Sequence, residues 1–97
     1  MRTKKNIGLI ECGMSGKIFQ MDSDNGFKEY AVTKVLLAGS LSEAVATAEY
    51  PHAEIVSNTE SIIRDSSIDL VIISTPVPPD MTMVGAALQA GKYVRVV

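Results

Sequence analysis

The sequence predicts an α/β domain organised on a parallel, doubly wound sheet. Short β-branched runs alternate with amphipathic stretches along the whole chain, the pattern of strands joined by crossover helices. The two clearest apolar runs, Ile7-Gly8-Leu9-Ile10 and Leu70-Val71-Ile72-Ile73, are continuous rather than alternating, as expected of strands buried on both faces. Glycine, proline and polar clusters punctuate the chain between such runs.

Ile7 to Ile10 is the first predicted strand. It breaks at Gly13 and Gly16 into a predicted helix over 14–21, where Met14, Ile18 and Met21 fall on one face as core packing. Asp22, Asn25 and Gly26 mark a polar turn before a second strand over 31–37. Ser40 and Glu43 have capping-box spacing and are expected to open a helix that runs to about Glu49, before Pro51. Ile55 and Val56 form a short third strand, and Ser57 with Glu60 repeats the capping spacing ahead of Ile62 and Ile63. Leu70 to Ile73 is the fourth strand, preceded by Asp69 and ended by Ser74-Thr75-Pro76. Pro78 and Pro79 lead into a helix whose buried face is expected to use Met81, Val84, Ala87 and Leu88, with Gly91 closing it. A fifth strand covers 93–97. Five strands and four helices give the order 3-2-1-4-5 with right-handed crossovers. Ligands of such sheets bind at the carboxyl ends of the strands, where the order reverses between strands 1 and 4.

The chain has 97 residues, 46% of them hydrophobic and 21% charged, with a net charge of −2. That length fits one domain over 1–97, with no second, substrate-binding domain. The charge offers no basic footprint for nucleic acid, and no apolar run is long enough for a membrane span. Cys12 is the sole cysteine and His52 the sole histidine, so neither a disulfide framework nor a Cys/His metal cluster is expected. A reducing, cytoplasmic setting follows from that cysteine usage.

The first turn reads Glu11-Cys12-Gly13-Met14-Ser15-Gly16, after a strand and before a helix. This is the context of the G-x-G-x-x-G fingerprint of a dinucleotide-binding Rossmann domain. Gly13 would let the backbone approach a pyrophosphate, and Gly16 would let helix and strand pack closely. The first glycine of the motif is Glu11, whose carboxylate, if turned to a phosphate about 5 Å away, would cost about 3 kcal/mol per charge pair. Solvent or Lys17 are its other possible directions. The acid that ends strand 2 in NAD-binding domains is also missing, since that stretch is Leu37-Ala38-Gly39-Ser40.

The chain resembles the N-terminal domain of the glucose–fructose oxidoreductase, inositol dehydrogenase and rhizopine-catabolism (Gfo/Idh/MocA) family along almost its whole length. The residues that carry the resemblance are Ile7 to Ile10, Cys12-Gly13-Met14-Ser15-Gly16-Lys17-Ile18-Phe19, the run from Ser67 through Pro76, and Ala87-Leu88-Gln89-Ala90-Gly91-Lys92-Tyr93-Val94. Members are NAD(P)-dependent oxidoreductases acting mostly on sugars and polyols. The resemblance implies that NAD or NADP is cradled by Cys12, Gly13, Met14, Ser15, Gly16, Ala38, Ser74, Thr75 and Pro76. It also exposes departures: Glu11 for the first glycine, Ala38 for the acid after strand 2, Val77 for the asparagine after Thr-Pro, and Asp80 for a histidine. Val97 stands where the family's Glu-Lys-Pro begins, so the expectation is a cofactor-binding fragment that does not transfer hydride alone.

The bland readings are structural. The glycines serve a tight turn, Glu11 is a surface charge, Cys12 is inert, His52 is solvated, Asp80 charges a helix N-terminus and Lys92 lies on the surface. A second functional reading is a degenerate, non-catalytic Rossmann domain acting as an interaction module. Under either, the uncovered strand bearing Tyr93, Val94, Val96 and Val97 is expected to support self-association.

Overall fold

Strands that are apolar on every residue must be covered on both sides, and the computed structural model shows that arrangement. It describes residues 5–13, 18–20, 30–39, 41–75 and 81–97. The elements run β1 (Lys5–Glu11), β2 (Tyr30–Leu37), α1 (Glu43–Glu49), β3 (Glu54–Val56), α2 (Glu60–Ile63), β4 (Ile68–Ser74), α3 (Met81–Gln89) and β5 (Tyr93–Val96). All five strands are parallel, in the predicted order β3-β2-β1-β4-β5.

β1 is central. Leu9 lies between Val35 and Ile72, Ile10 between Leu36 and Ile73, and Glu11 between Leu37 and Ser74. Side chains alternate across the sheet, so these strands feed two cores. Ile7, Leu9, Val35, Leu70 and Ile72 face one side, where Ile18, Leu41 and Ala46 of the α1 region pack. Ile10, Leu36, Val71 and Ile73 face the other, under Ile62 of α2 and Ala87 of α3.

Several local expectations change. The predicted helix over 14–21 falls mostly outside the described residues; Ile18 is buried as expected, while 18–20 are not helical and Met14 and Met21 are not described. α1 opens at Glu43 with Ser42 at its cap, not Ser40, because the chain leaves β2 tied at Gly39 and must first bury Leu41. Ahead of α2, Asn58 does the capping expected of Ser57: its Oδ1 accepts from the Ser61 N–H at 2.9 Å and the Ser61 hydroxyl at 3.0 Å. Glu60 pairs with Arg64 one turn on, at 3.4 Å. β4 begins earlier than predicted, and takes in Asp69, whose carboxylate accepts the Asn6 N–H at 2.9 Å.

α3 buries Ala87 and turns Met83 and Val84 inward, but Met81 is 69% and Leu88 56% exposed. Both lie about 100° around the helix from the inward stripe, which is too far to reach the sheet. Gly91 closes α3 as expected. Its φ of +81° lets its N–H bond the Leu88 carbonyl and the Lys92 N–H bond the Ala87 carbonyl, at 3.0 and 3.1 Å. Lys92, expected at the surface, is buried, and its ammonium donates to the carbonyls of Asp65 at 2.8 Å and Ile68 at 3.0 Å.

Candidate functional site

The strand order reverses beside β1, so the carboxyl ends of β1, β2 and β4 converge there and place the candidate residues together. Cys12 and Gly13 leave β1, Ala38 and Gly39 leave β2, and Ser74 and Thr75 end β4. Backbone hydrogen bonds knit these ends together. The Cys12 N–H donates to the Ser74 carbonyl at 2.7 Å, and the Glu11 carbonyl accepts from the Ala38 and Gly39 N–H groups at 2.9 and 3.2 Å. The Thr75 N–H reaches across to the Val97 carbonyl at 3.2 Å. Met14, Ser15, Gly16 and Pro76, predicted to belong to the same site, lie outside the described residues, as do Lys17, Val77 and Asp80.

Glu11 corrects the sequence reading. It is neither a surface charge nor turned to solvent: the residue is 1% exposed. One carboxylate oxygen accepts the Gly13 N–H at 3.1 Å and the other the Phe19 N–H at 2.6 Å. A buried carboxylate is tolerated because two backbone donors compensate its lost hydration. The carboxylate therefore braces the segment that leaves β1, tying its start at Gly13 to residue 19. Phe19 is held from its other side by the Tyr50 hydroxyl, which donates to its carbonyl and so links this segment to the end of α1.

Cys12 is half-buried against the core face that carries Ile10. Burial first, and the neighbouring Glu11 charge second, push its thiol above the usual range, which keeps it protonated and unreactive. His52 is exposed, as expected. No group of three or more metal-ligating side chains occurs among the described residues, and no described helix is long and apolar enough to cross a membrane.

Sequence reasoning missed two residues of this region. The first is Gly39. A Cβ there would come within 2.5 Å of the Gly13 carbonyl oxygen and 2.8 Å of the Cys12 carbonyl, so β2 can approach the first loop this closely only with glycine. The signal was present, a glycine directly after an apolar strand, but nothing local said what it approaches. The second is Glu43, which the capping pattern had claimed. It lines a cleft of about 440 Å³ beyond β2 and β3, walled by Leu36, Leu41, Ile55 and Val56.

Those features fit a dinucleotide: an open cleft with apolar walls stands beside a glycine-cleared approach of two strand ends. The comparisons with known proteins agree. Residues 5–96 match the Gfo/Idh/MocA family, described as an oxidoreductase family with an NAD-binding Rossmann fold. The scyllo-inositol 2-dehydrogenase (NADP(+)) IolW of Bacillus subtilis is 34% identical over 88 residues, which are 91% of this chain and 24% of that protein. The oxidoreductase YdgJ of Escherichia coli is 34% identical over 92 residues, 93% of this chain and 25% of that one. Among solved structures, an oxidoreductase from Bacillus subtilis, YvaA, superposes with a TM-score of 0.78 at 28% identity, over 99% of this chain and 27% of its own. One from Yersinia pestis gives 0.74 at 30% identity over the same shares. The chain thus spans about a quarter of the length of the relatives it matches. By the match over residues 5–96 and the shared strand order, the chain belongs to the Gfo/Idh/MocA oxidoreductase family and carries its NAD-binding Rossmann fold.

Proposed function

We propose that this chain binds a nicotinamide dinucleotide and positions it for hydride exchange with a sugar- or polyol-like substrate. The observation that carries this reading is the convergence of the three strand ends at the order reversal: Cys12 bonds the Ser74 carbonyl, Glu11 takes the Ala38 and Gly39 N–H groups, and Gly39 packs against Gly13. In this reading the pyrophosphate is held by the stretch Cys12, Gly13, Met14, Ser15 and Gly16 that follows β1. Ala38 flanks the adenosine side, and Ser74, Thr75 and Pro76 flank the nicotinamide side. The bound nicotinamide supplies or takes the hydride. The chain's own part is to hold, orient and shield it. Among the described residues at the site, Glu11 is spent on two backbone donors and the Cys12 thiol stays protonated, so neither serves as a general base, and substrate recognition and proton transfer fall to other groups. A lone free cysteine suits a reducing, cytoplasmic compartment.

Calorimetric titration with NADH and with NADPH tests the reading. Both cofactors are needed because the Bacillus subtilis inositol dehydrogenase carries NADP(+) in its name. Binding in the micromolar range supports the proposal, and no heat up to millimolar concentration of either cofactor overturns it.

A specific observation favours one addition, association with another chain. Among the described residues β5 pairs with β4 on one side only, and Tyr93 and Val96 on it and Val97 just after it are exposed. Such an edge can accept a further strand.

A further inference from the structure

We propose that Glu43 makes this site selective for NAD over NADP. The inference rests on the dinucleotide reading above and specifies its adenosine end.

Among the described residues lining the cleft beyond β2 and β3, the side chains are apolar except at Glu43 and Ser57, and Glu43 alone is charged. Apolar walls at the strand ends suit a flat base, and the polar rim is where the attached ribose must sit. In NAD-binding sheets a carboxylate accepts hydrogen bonds from the ribose hydroxyls, usually from the end of strand 2. Here that position is closed to it. Ala38 has no polar group, and Gly39 is locked against the Gly13 and Cys12 backbone, with no space for a side chain. The chain then runs four residues further before it presents a carboxylate, at the first residue of α1. Glu43 is exposed, and among the described residues it has no hydrogen-bond or ion-pair partner, so its oxygens remain available.

The same geometry works against a 2′-phosphate. That group needs a cation, and no lysine or arginine lines the cleft among the described residues. The basic residue on β2, Lys34, lies mid-strand, does not line the cleft, and is committed to Asp65 at 2.8 Å and the Ser61 carbonyl at 2.9 Å. A dianionic phosphate about 5 Å from an exposed carboxylate loses about tenfold in affinity even in a water-like dielectric. The hydroxyl it replaces would have gained a charge-assisted hydrogen bond.

The test measures dissociation constants for NADH and NADPH on the wild-type chain and on Glu43→Gln. Glu49→Gln serves as a control with the same net charge, changed at the far end of α1, and circular dichroism checks that each variant is folded. The expected wild-type result is NADH bound at least about tenfold more tightly than NADPH at low salt. Glu43→Gln should bring the two within about twofold, chiefly by improving NADPH, and Glu49→Gln should leave the ratio unmoved. Equal wild-type affinities, or a ratio that Glu43→Gln does not change, would overturn the assignment while leaving the dinucleotide site intact. Failure of both cofactors to bind any form would overturn the dinucleotide reading itself, and this inference with it.

Discussion

At the scale of single residues, the decisive case is Glu11. In a linear motif it reads as a negative charge in place of a glycine, and the repulsion argument follows. In the structure its carboxylate is buried and accepts two backbone N–H groups. Hydrogen bonds to a charged acceptor contribute about 1.5–3 kcal/mol each, and a glutamine would turn an N–H₂ toward one of these donors. Glu11→Gln should therefore lower unfolding free energy by about 2 kcal/mol, with no gain in cofactor affinity. Urea denaturation of the two proteins checks this; stabilities within about 0.5 kcal/mol of each other would mean that the brace contributes little. Lys92 teaches the same lesson. Its charge suggested solvent, yet the ammonium is enclosed and satisfied by two carbonyls.

At the scale of elements, the turn between α2 and β4 is held by charge rather than by apolar contact. Asp65 accepts the Lys34 ammonium at 2.8 Å and the Ser67 N–H and hydroxyl at 2.8 and 2.6 Å, while its own carbonyl takes the Lys92 ammonium. This one residue so links β2, the α2–β4 turn and the start of β5. The Lys34 contact first, then Ser67, hold the Asp65 carboxyl well below the usual carboxylate range. A carboxyl with a depressed folded-state pKa stabilises the fold above its unfolded value, near 4, and loses that contribution as pH falls toward the folded value. Asp65→Asn should accordingly be less stable than wild type at pH 7, by about 1–2 kcal/mol, with the gap narrowing below about pH 4. Unfolding curves for both proteins at pH 7 and at pH 2.5 test the sign. A gap that stays constant or widens in acid would exclude the linkage.

At the scale of the whole molecule, the described residues form a sheet covered on its faces, with β3 and β5 as its two outer strands. Its faces are covered by two apolar clusters, one against the α1 region and one under α2 and α3. The β5 side carries Tyr93 at 75% exposure and Val96 and Val97 at 44% and 43%. In a parallel ladder alternate residues turn their backbone groups to each side. With Val97 bonded to Ile73 and Thr75 of the β4 side, Val94 and Val96 present theirs outward. Size-exclusion chromatography with light scattering should show a concentration-dependent dimer, and Val96→Pro, which removes an outward N–H, should shift it to monomer. A monomer at high concentration in the unaltered protein would count against association through this edge.

The order and identity of the strands were legible in the sequence, because a strand buried on both faces must be apolar on consecutive residues and few other elements are. Family membership was legible too, since it lies in short strings such as Cys12-Gly13-Met14-Ser15-Gly16 and Ala90-Gly91-Lys92 that survive as strings. Gly91 could be placed because a helix end has a local backbone requirement. The orientation of side chains was a different matter. The inward turn of Glu11, the exposure of Met81 and Leu88, the enclosure of Lys92 and the contact of Gly39 with Gly13 each depend on residues distant in sequence or on a helix's rotation about its axis. Only the assembled tertiary structure supplies those neighbours, and it was this that turned the motif's misplaced acid into a brace between Gly13 and Phe19 and a capping glutamate into the charged wall of a cleft.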